Sequence, residues 1–238
     1  MSVPMFQPRW ILLALSFLLL GAESDPECPE DMVLVRATKT CIDRYEWPNK
    51  AGEKPLVGTS AIPSVYDEER GLMMNAWELC GSVGKRLCTM EEWVPACKGK
   101  KNADYPFGRK IPDRYRTPPD KTPCNYAQMF REPDEMKVWK RDPKEMARLD
   151  QSDPAGKRKC RSASGAEDMM GNAEEWITCP SFLNRRKHHC REVEGEEVCF
   201  CLAGRYWSDP VKCHKLSAGH TPDWWYYETG FRCCQDPV

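Results

Sequence analysis

Beyond Leu20 the sequence has only short apolar runs, such as Met32-Val33-Leu34-Val35. A bilayer-crossing helix needs about 20 apolar residues, so no membrane span is expected once the N-terminal segment is removed. Charge of one sign is also missing, because 35 Lys and Arg stand against 36 Asp and Glu. A near-neutral chain lacks the basic surface that nucleic acid or anionic lipid requires. No internal repeat or low-complexity tract is present. Serine-hydrolase, phosphate-loop and H-E-x-x-H signatures are absent too, as is the paired C-x2-C spacing of zinc ribbons.

What is abundant is cysteine, proline and glycine, at 14, 20 and 15 residues. The chain opens with Arg9, the apolar run Trp10–Leu20 and the small-residue exit Gly21-Ala22-Glu23-Ser24. This is the pattern of a secretory signal peptide, assigned to residues 1–24. It predicts a secreted or periplasmic protein whose mature part, 25–238, is a single domain of about 214 residues. All the cysteines lie in that part, and in an exported chain an even number reads as a disulfide framework. Cys199 and Cys201 share one face if they lie on a strand. Adjacent Cys233 and Cys234 point oppositely and therefore suit two different partners.

Two helices are predicted. One lies within Glu68–Ser82, where Leu72, Ala76, Leu79 and Cys80 fall on one face and Gly84 supplies a stop. The other follows Thr89-Met90-Glu91-Glu92, a capping box, and turns Trp93, Ala96 and Cys97 inward. Segment 105–153 is polar, proline-rich and without either period. It reads as long surface loops, pinned by a disulfide between Cys124 and Cys160, which flank most of it, or by an ion. Short strands are expected at Cys199–Leu202, Trp224–Tyr227 and Phe231–Cys233. The class is α+β, irregular and disulfide-stabilised.

Several blocks, in order, resemble the sulfatase-modifying-factor family, the family of the formylglycine-generating enzyme. They are Met32–Val35 with Cys41-Ile42-Asp43-Arg44-Tyr45-Glu46, Gly84-Lys85-Arg86-Leu87-Cys88-Thr89-Met90-Glu91-Glu92-Trp93, Tyr105-Pro106-Phe107-Gly108, Asp168-Met169-Met170-Gly171-Asn172-Ala173-Glu174-Glu175-Trp176 and Gly230-Phe231-Arg232-Cys233. The resemblance implies a C-type-lectin-like fold with little regular secondary structure and often bound calcium.

The same resemblance implies a copper-binding, cysteine-oxidising site built on two cysteines separated by four residues, upstream of G-F-R-C. Here Cys213 and His214 stand at that place, but the residue five beyond Cys213 is Ala218. Soft Cu(I) favours paired thiolates. Cys213 is thus either a reactive thiol, with His214 or His220 beside it, or half of a disulfide, to Cys233 or Cys234. For calcium, a hard cation that takes oxygen ligands, the motif implies Asn172, Glu175 and the carbonyls of Gly171 and Ala173. Asn125, with Asp150 or Asp153, is the candidate for a second site. The run Trp224-Trp225-Tyr226-Tyr227 cannot face one way along a strand. Its exposed part, assigned to Trp224, Trp225 and Tyr226, suggests recognition of a protein, peptide or glycan. Two functions follow: a calcium-stabilised binding module without the usual cysteine pair, or an oxidoreductase acting on a protein or peptide at a rearranged metal site.

Overall fold

The computed structural model describes residues 26–111 and 117–238, the side chains of Tyr66 and Arg70 excepted. The signal-peptide assignment lies outside these residues. Two four-stranded sheets organise the chain. The first joins β1 (Met32–Val35), β2 (Thr40–Asp43), β3 (Arg86–Leu87) and β8 (Cys233–Gln235) in the order β1-β2-β8-β3, all antiparallel. The second joins β4 (Glu174–Thr178), β5 (Cys190–Val193), β6 (Glu196–Ala203) and β7 (Thr229–Phe231) in the order β5-β6-β4-β7, with β4 and β7 parallel. The closing segment serves both sheets: Gly230 and Phe231 belong to the second, Cys233 and Cys234 to the first, and Arg232 sits at the crossing.

Among the described residues five short α-helices pack around the sheets: α1 (Val65–Arg70), α2 (Ala76–Ser82), α3 (Met90–Cys97), α4 (Glu135–Trp139) and α5 (Pro143–Leu149). The capping box on α3 forms as expected. Thr89 Oγ1 accepts from the Glu92 amide, the Glu92 carboxylate accepts from the Thr89 amide, and Trp93, Ala96 and Cys97 are buried. The helix predicted within Glu68–Ser82 is only its second half. Gly71 takes a left-handed φ of 63° and ends α1, and Asn75 then caps α2 by accepting from the Glu78 amide. Leu72 is left in the break and is exposed.

Segment 105–153 also differs from expectation in part, because α4 and α5 interrupt its loops. Asp134 and Asp142 cap them, Pro143 fits the first turn where no amide is needed, and Val138 and Leu149 are driven inward. Trp224–Tyr227 is likewise no strand. It runs as an irregular segment after a turn in which the Trp224 amide bonds the Thr221 carbonyl.

Seven disulfides join 28–41, 80–233, 88–234, 97–213, 124–160, 179–201 and 190–199, leaving no free cysteine among the described residues. Cys233 and Cys234 do take different partners, Cys80 on α2 and Cys88 after β3. Cys124–Cys160 pins the long loop region. The main core gathers Ile42, Trp93, Met169 and Ile177 around the cystines, and a second cluster holds Trp176, Phe200, Leu202 and Phe231. Among the described residues no helix is long and apolar enough to cross a membrane.

Candidate functional site

The Asp168–Trp176 segment leads into β4. Gly171 has a φ of 79°, and a Cβ there would lie 2.2 Å from the Asn125 carbonyl oxygen, so only glycine fits. Asn172 follows, also left-handed and fully buried. Its Oδ1 accepts from Asn125 Nδ2 at 2.9 Å and from the Asp153 amide at 2.7 Å. Its Nδ2 donates to Glu46 Oε2, and Glu46 Oε1 accepts from the Ala173 amide at 2.8 Å. Asn172 and Asn125 are therefore brought together, but each already has protein partners. The Asn125 Oδ1 accepts from Gln128, Asp150 pairs with Lys54, and Asp153 pairs with Lys157 and Arg158.

Glu175 does not join them. One residue into β4, its carboxylate is turned into the core, where Arg232 Nε and Nη2 each donate at 2.7 Å and Trp93 Nε1 donates at 2.7 Å. The remaining guanidinium contacts go to the carbonyls of Asp43, Arg44 and Glu167. A cation on Glu175 would face Arg232 directly, so the assignment of Glu175 as a calcium ligand is corrected: it is the counter-ion of Arg232. The donor set Asn172–Glu175 does not fit calcium. A surplus of buried acid nonetheless surrounds this one guanidinium. Burial, and after it the charges of Glu175 and Asp168, hold Glu46 well above the usual glutamate range. Asp168 is pushed up to about 7, first by its own burial.

Cys213 is bonded to Cys97, not to Cys233 or Cys234, and is buried. Of the two readings of Cys213, the disulfide is the one that forms, with a partner other than those expected. His214 is exposed and approaches Asp104 at 3.8 Å, on the outside of the molecule. The following loop is held by bonds from Asn184 Nδ2 to the Ala218 carbonyl and between His188 Nε2 and the Gly219 carbonyl. It delivers His220 onto the aromatic run.

That run alternates. Trp225 and Tyr227 are buried with Trp207, Val138 and Leu149, and Arg141 lies 4.0 Å over the Trp225 ring. Trp225 therefore presents no open face, contrary to its assignment as a ligand-binding residue. Trp224 and Tyr226 are only partly buried and stack at 5.8 Å, with His220 stacked on Trp224 at 3.7 Å. Tyr226 Oη donates to Glu135 at 2.8 Å. His220, which the sequence suggests only as a neighbour of copper, completes a three-ring stack.

Glu228, the residue after the run, forms a carboxylate pair with Glu174, which stands where the family motif has its first Trp. Glu174 and Glu228 are both buried; burial pushes the first up to about 7, and burial reinforced by Glu174 pushes the second up to about 8. Glu228 Oε2 has no hydrogen-bond partner, and Arg205 approaches Glu174 no closer than 3.8 Å.

A sulfatase-modifying factor enzyme 1-like domain is matched over residues 73–237, more than half of the chain. The chain belongs to this family. The sulfatase-modifying factor domain is thus the frame in which the Glu175–Arg232 pair, the capping box and the shared closing strand sit. No curated protein matches the chain. Among solved structures, it is similar to CarF, at 18% identity and a TM-score of 0.39 over 65% of this chain and 48% of that one. It is also similar to Treponema denticola variable protein 1, at 15% identity and a TM-score of 0.40 over 64% of this chain and 48% of that one. The chain spans about half the length of each of these proteins.

Proposed function

We propose that this sulfatase-modifying factor domain is an exported, secreted or periplasmic, binding module, and that the face formed by His220, Trp224 and Tyr226 takes a protein, peptide or glycan ligand. The observation that carries the reading is the stack itself. Three rings lie parallel within interplanar angles of 15° and 19°, half-open to solvent, with Glu135 anchored at the rim by Tyr226. Flat, half-buried rings offer large contact area at little entropic cost, and a carboxylate at the edge can accept from hydroxyls or amides. The Cys97–Cys213 bond, and alanine at position 218, support a role without the thiolate pair that copper would require.

In this reading calcium would draw on the buried carboxyl groups Glu46 and Asp168 around Arg232, in competition with the protons that burial makes them hold. The site is tested by presenting the protein to peptide and glycan arrays and measuring its best probe by calorimetry. Trp224→Ala should weaken that probe about tenfold, as expected for loss of an aromatic anchor. Unchanged binding by Trp224→Ala removes the stack from the account. Dioxygen consumption with a thiol peptide would replace the binding reading by the oxidoreductase one.

A further inference from the structure

The β5–β6 hairpin carries a group of side chains that neither the family fold nor the aromatic face uses. Cys190 and Cys199 stand directly opposite each other in the register and form a disulfide. The ring of His189, fully buried, lies beside it. Ligand atoms of His189, Cys190 and Cys199 all fall within 4.8 Å of one another, the one such grouping of His, Cys, Asp or Glu among the described residues. Neither His189 ring nitrogen has a hydrogen-bond partner. A buried imidazole with both nitrogens short of a well-formed hydrogen bond is costly, and the sulfurs of Cys190 and Cys199 are the ligand atoms beside it. Burial lowers its pKa, the Pro180 carbonyl opposes this and His188 adds to it, so the environment favours the neutral ring.

Cys190 also lines an open cavity of about 470 Å³ with Lys187, Arg191, Glu192, Gly195 and Glu197. Of the two cysteines it is Cys190, 8% exposed, that borders this cavity, which makes the cavity the route by which a thiol would reach the disulfide. Lys187 pairs with Glu197 at 3.0 Å and Arg191 lies 3.6 Å from Asp223, which leaves the rim with both signs of charge. Opening this disulfide does not open the fold. The loop it closes is short, with a sequence separation of 9, and the pairs Arg191↔Val198, Glu192↔Glu197 and Val193↔Glu196 hold the hairpin without it. Short loops contribute the least chain entropy. Strand β6 is fixed independently by Cys179–Cys201.

We propose that Cys190–Cys199 is a thiol–disulfide exchange site, with His189 as its proton carrier and thiols of peptides or small molecules as its substrates. His189 accepts the proton of the incoming thiol. The thiolate attacks Cys190 Sγ, a new S–S bond forms to the substrate, and the Cys190–Cys199 bond breaks with its electron pair left on Cys199. His189 then returns the proton to that thiolate. A second substrate thiol gives its proton to His189 and attacks the substrate sulfur of the mixed disulfide; the bond to Cys190 breaks, and the Cys190 thiolate takes the proton from His189 and leaves as a thiol. Two substrate thiols have been oxidised to a disulfide, and the two cysteines have been reduced by the same two electrons.

The native protein is incubated with excess reduced glutathione, quenched at intervals by alkylation and mapped by mass spectrometry. Cys190 and Cys199 should be alkylated first, about tenfold faster than any other pair. Exposure alone predicts a different order, since Cys28 and Cys179 are the half-buried cysteines whereas Cys190 and Cys199 are buried. Opening of Cys28–Cys41 or Cys179–Cys201 as fast as Cys190–Cys199 therefore overturns the proposal. His189→Leu, close in volume and unable to carry a proton, should slow Cys190–Cys199 opening about tenfold and leave the other pairs at their rates. If that variant opens Cys190–Cys199 at the wild-type rate, His189 has no part in the step. Should the variant not fold, the order of opening in the unaltered protein decides alone.

Discussion

Arg232 and Glu175 form a buried ion pair with two parallel hydrogen bonds of 2.7 Å, neither side chain more than 1% exposed. Arg232 stands where the chain leaves one sheet for the other, so the pair ties β4 to the carbonyls at the end of β2. Such a pair is weak evidence for net stability, but breaking it strands a charge in the core. Glu175→Gln should destabilise the protein by about 3–5 kcal/mol in denaturant titration. The double replacement Glu175→Leu with Arg232→Met should recover most of that loss. A single variant as stable as the parent would show that the pair does not hold the sheets together.

The carboxylates under the aromatic run give a pH dependence of definite sign. Unfolded, Glu174 and Glu228 titrate near 4.5; folded, they do so at about 7 and about 8. Between those values the unfolded chain has released protons that the native state still binds, so stability falls as pH rises, and levels off above about 8. For a carboxyl group of this kind, each pH unit between its unfolded and folded titration changes stability by about 1.4 kcal/mol at most. Urea unfolding at pH 5.5, 7 and 8.5 should show a decline, and Glu174→Gln with Glu228→Gln should flatten it. Asp168, raised to about 7, adds a residual slope of the same sign. Stability that increases over this range would contradict the buried placement of these groups.

Local signals in the sequence carry far. The capping box at Thr89–Glu92 and the strand at Cys199–Leu202 follow from residues close together in the chain, and both form. Opposed partners for Cys233 and Cys234 follow from strand alternation, but the partners themselves, Cys80 and Cys88, are 153 and 146 residues away. Nothing local encodes such pairings. Helices α4 and α5 are not legible although Asp134, Asp142 and Pro143 mark their starts, because five and seven residues are too few to show a period. Glu175 reads as a calcium ligand for want of long-range information: its neighbour Arg232 is 57 residues on. Trp225 reads as exposed because the alternation that hides it needs Trp207 and Leu149 to define the inside.

The long loop region depends on its pin. Cys124–Cys160 closes a separation of 36 residues around α4 and α5. Replacing both cysteines by Ala should cost about 3–4 kcal/mol by loss of that constraint on the unfolded chain. The check is the urea midpoint together with proteolysis, which should newly cut between 124 and 160. An unaltered midpoint would mean that packing around Leu149 and Trp207 suffices.

Calcium offers a separate test of the acid surplus around Arg232. Protons and a cation compete for Glu46 and Asp168, so added calcium should raise the melting temperature by about 5 °C at pH 8 and by much less at pH 5.5. Glu46→Gln should remove the rise. Equal melting temperatures in calcium and in chelator at both pH values would leave protons as the sole means by which these carboxylates are neutralised.

This sulfatase-modifying factor domain carries its cysteines as a framework, with Cys213 locked to Cys97. The most direct test is to denature the freshly purified protein without reductant, alkylate it, and determine by intact mass and peptide mapping which of the 14 cysteines are labelled. The account predicts no label on any of them and a Cys97–Cys213 linked peptide. Labelled Cys213, accompanied by labelled Cys97, would contradict it and restore a thiol at the position where the family resemblance implies a catalytic one.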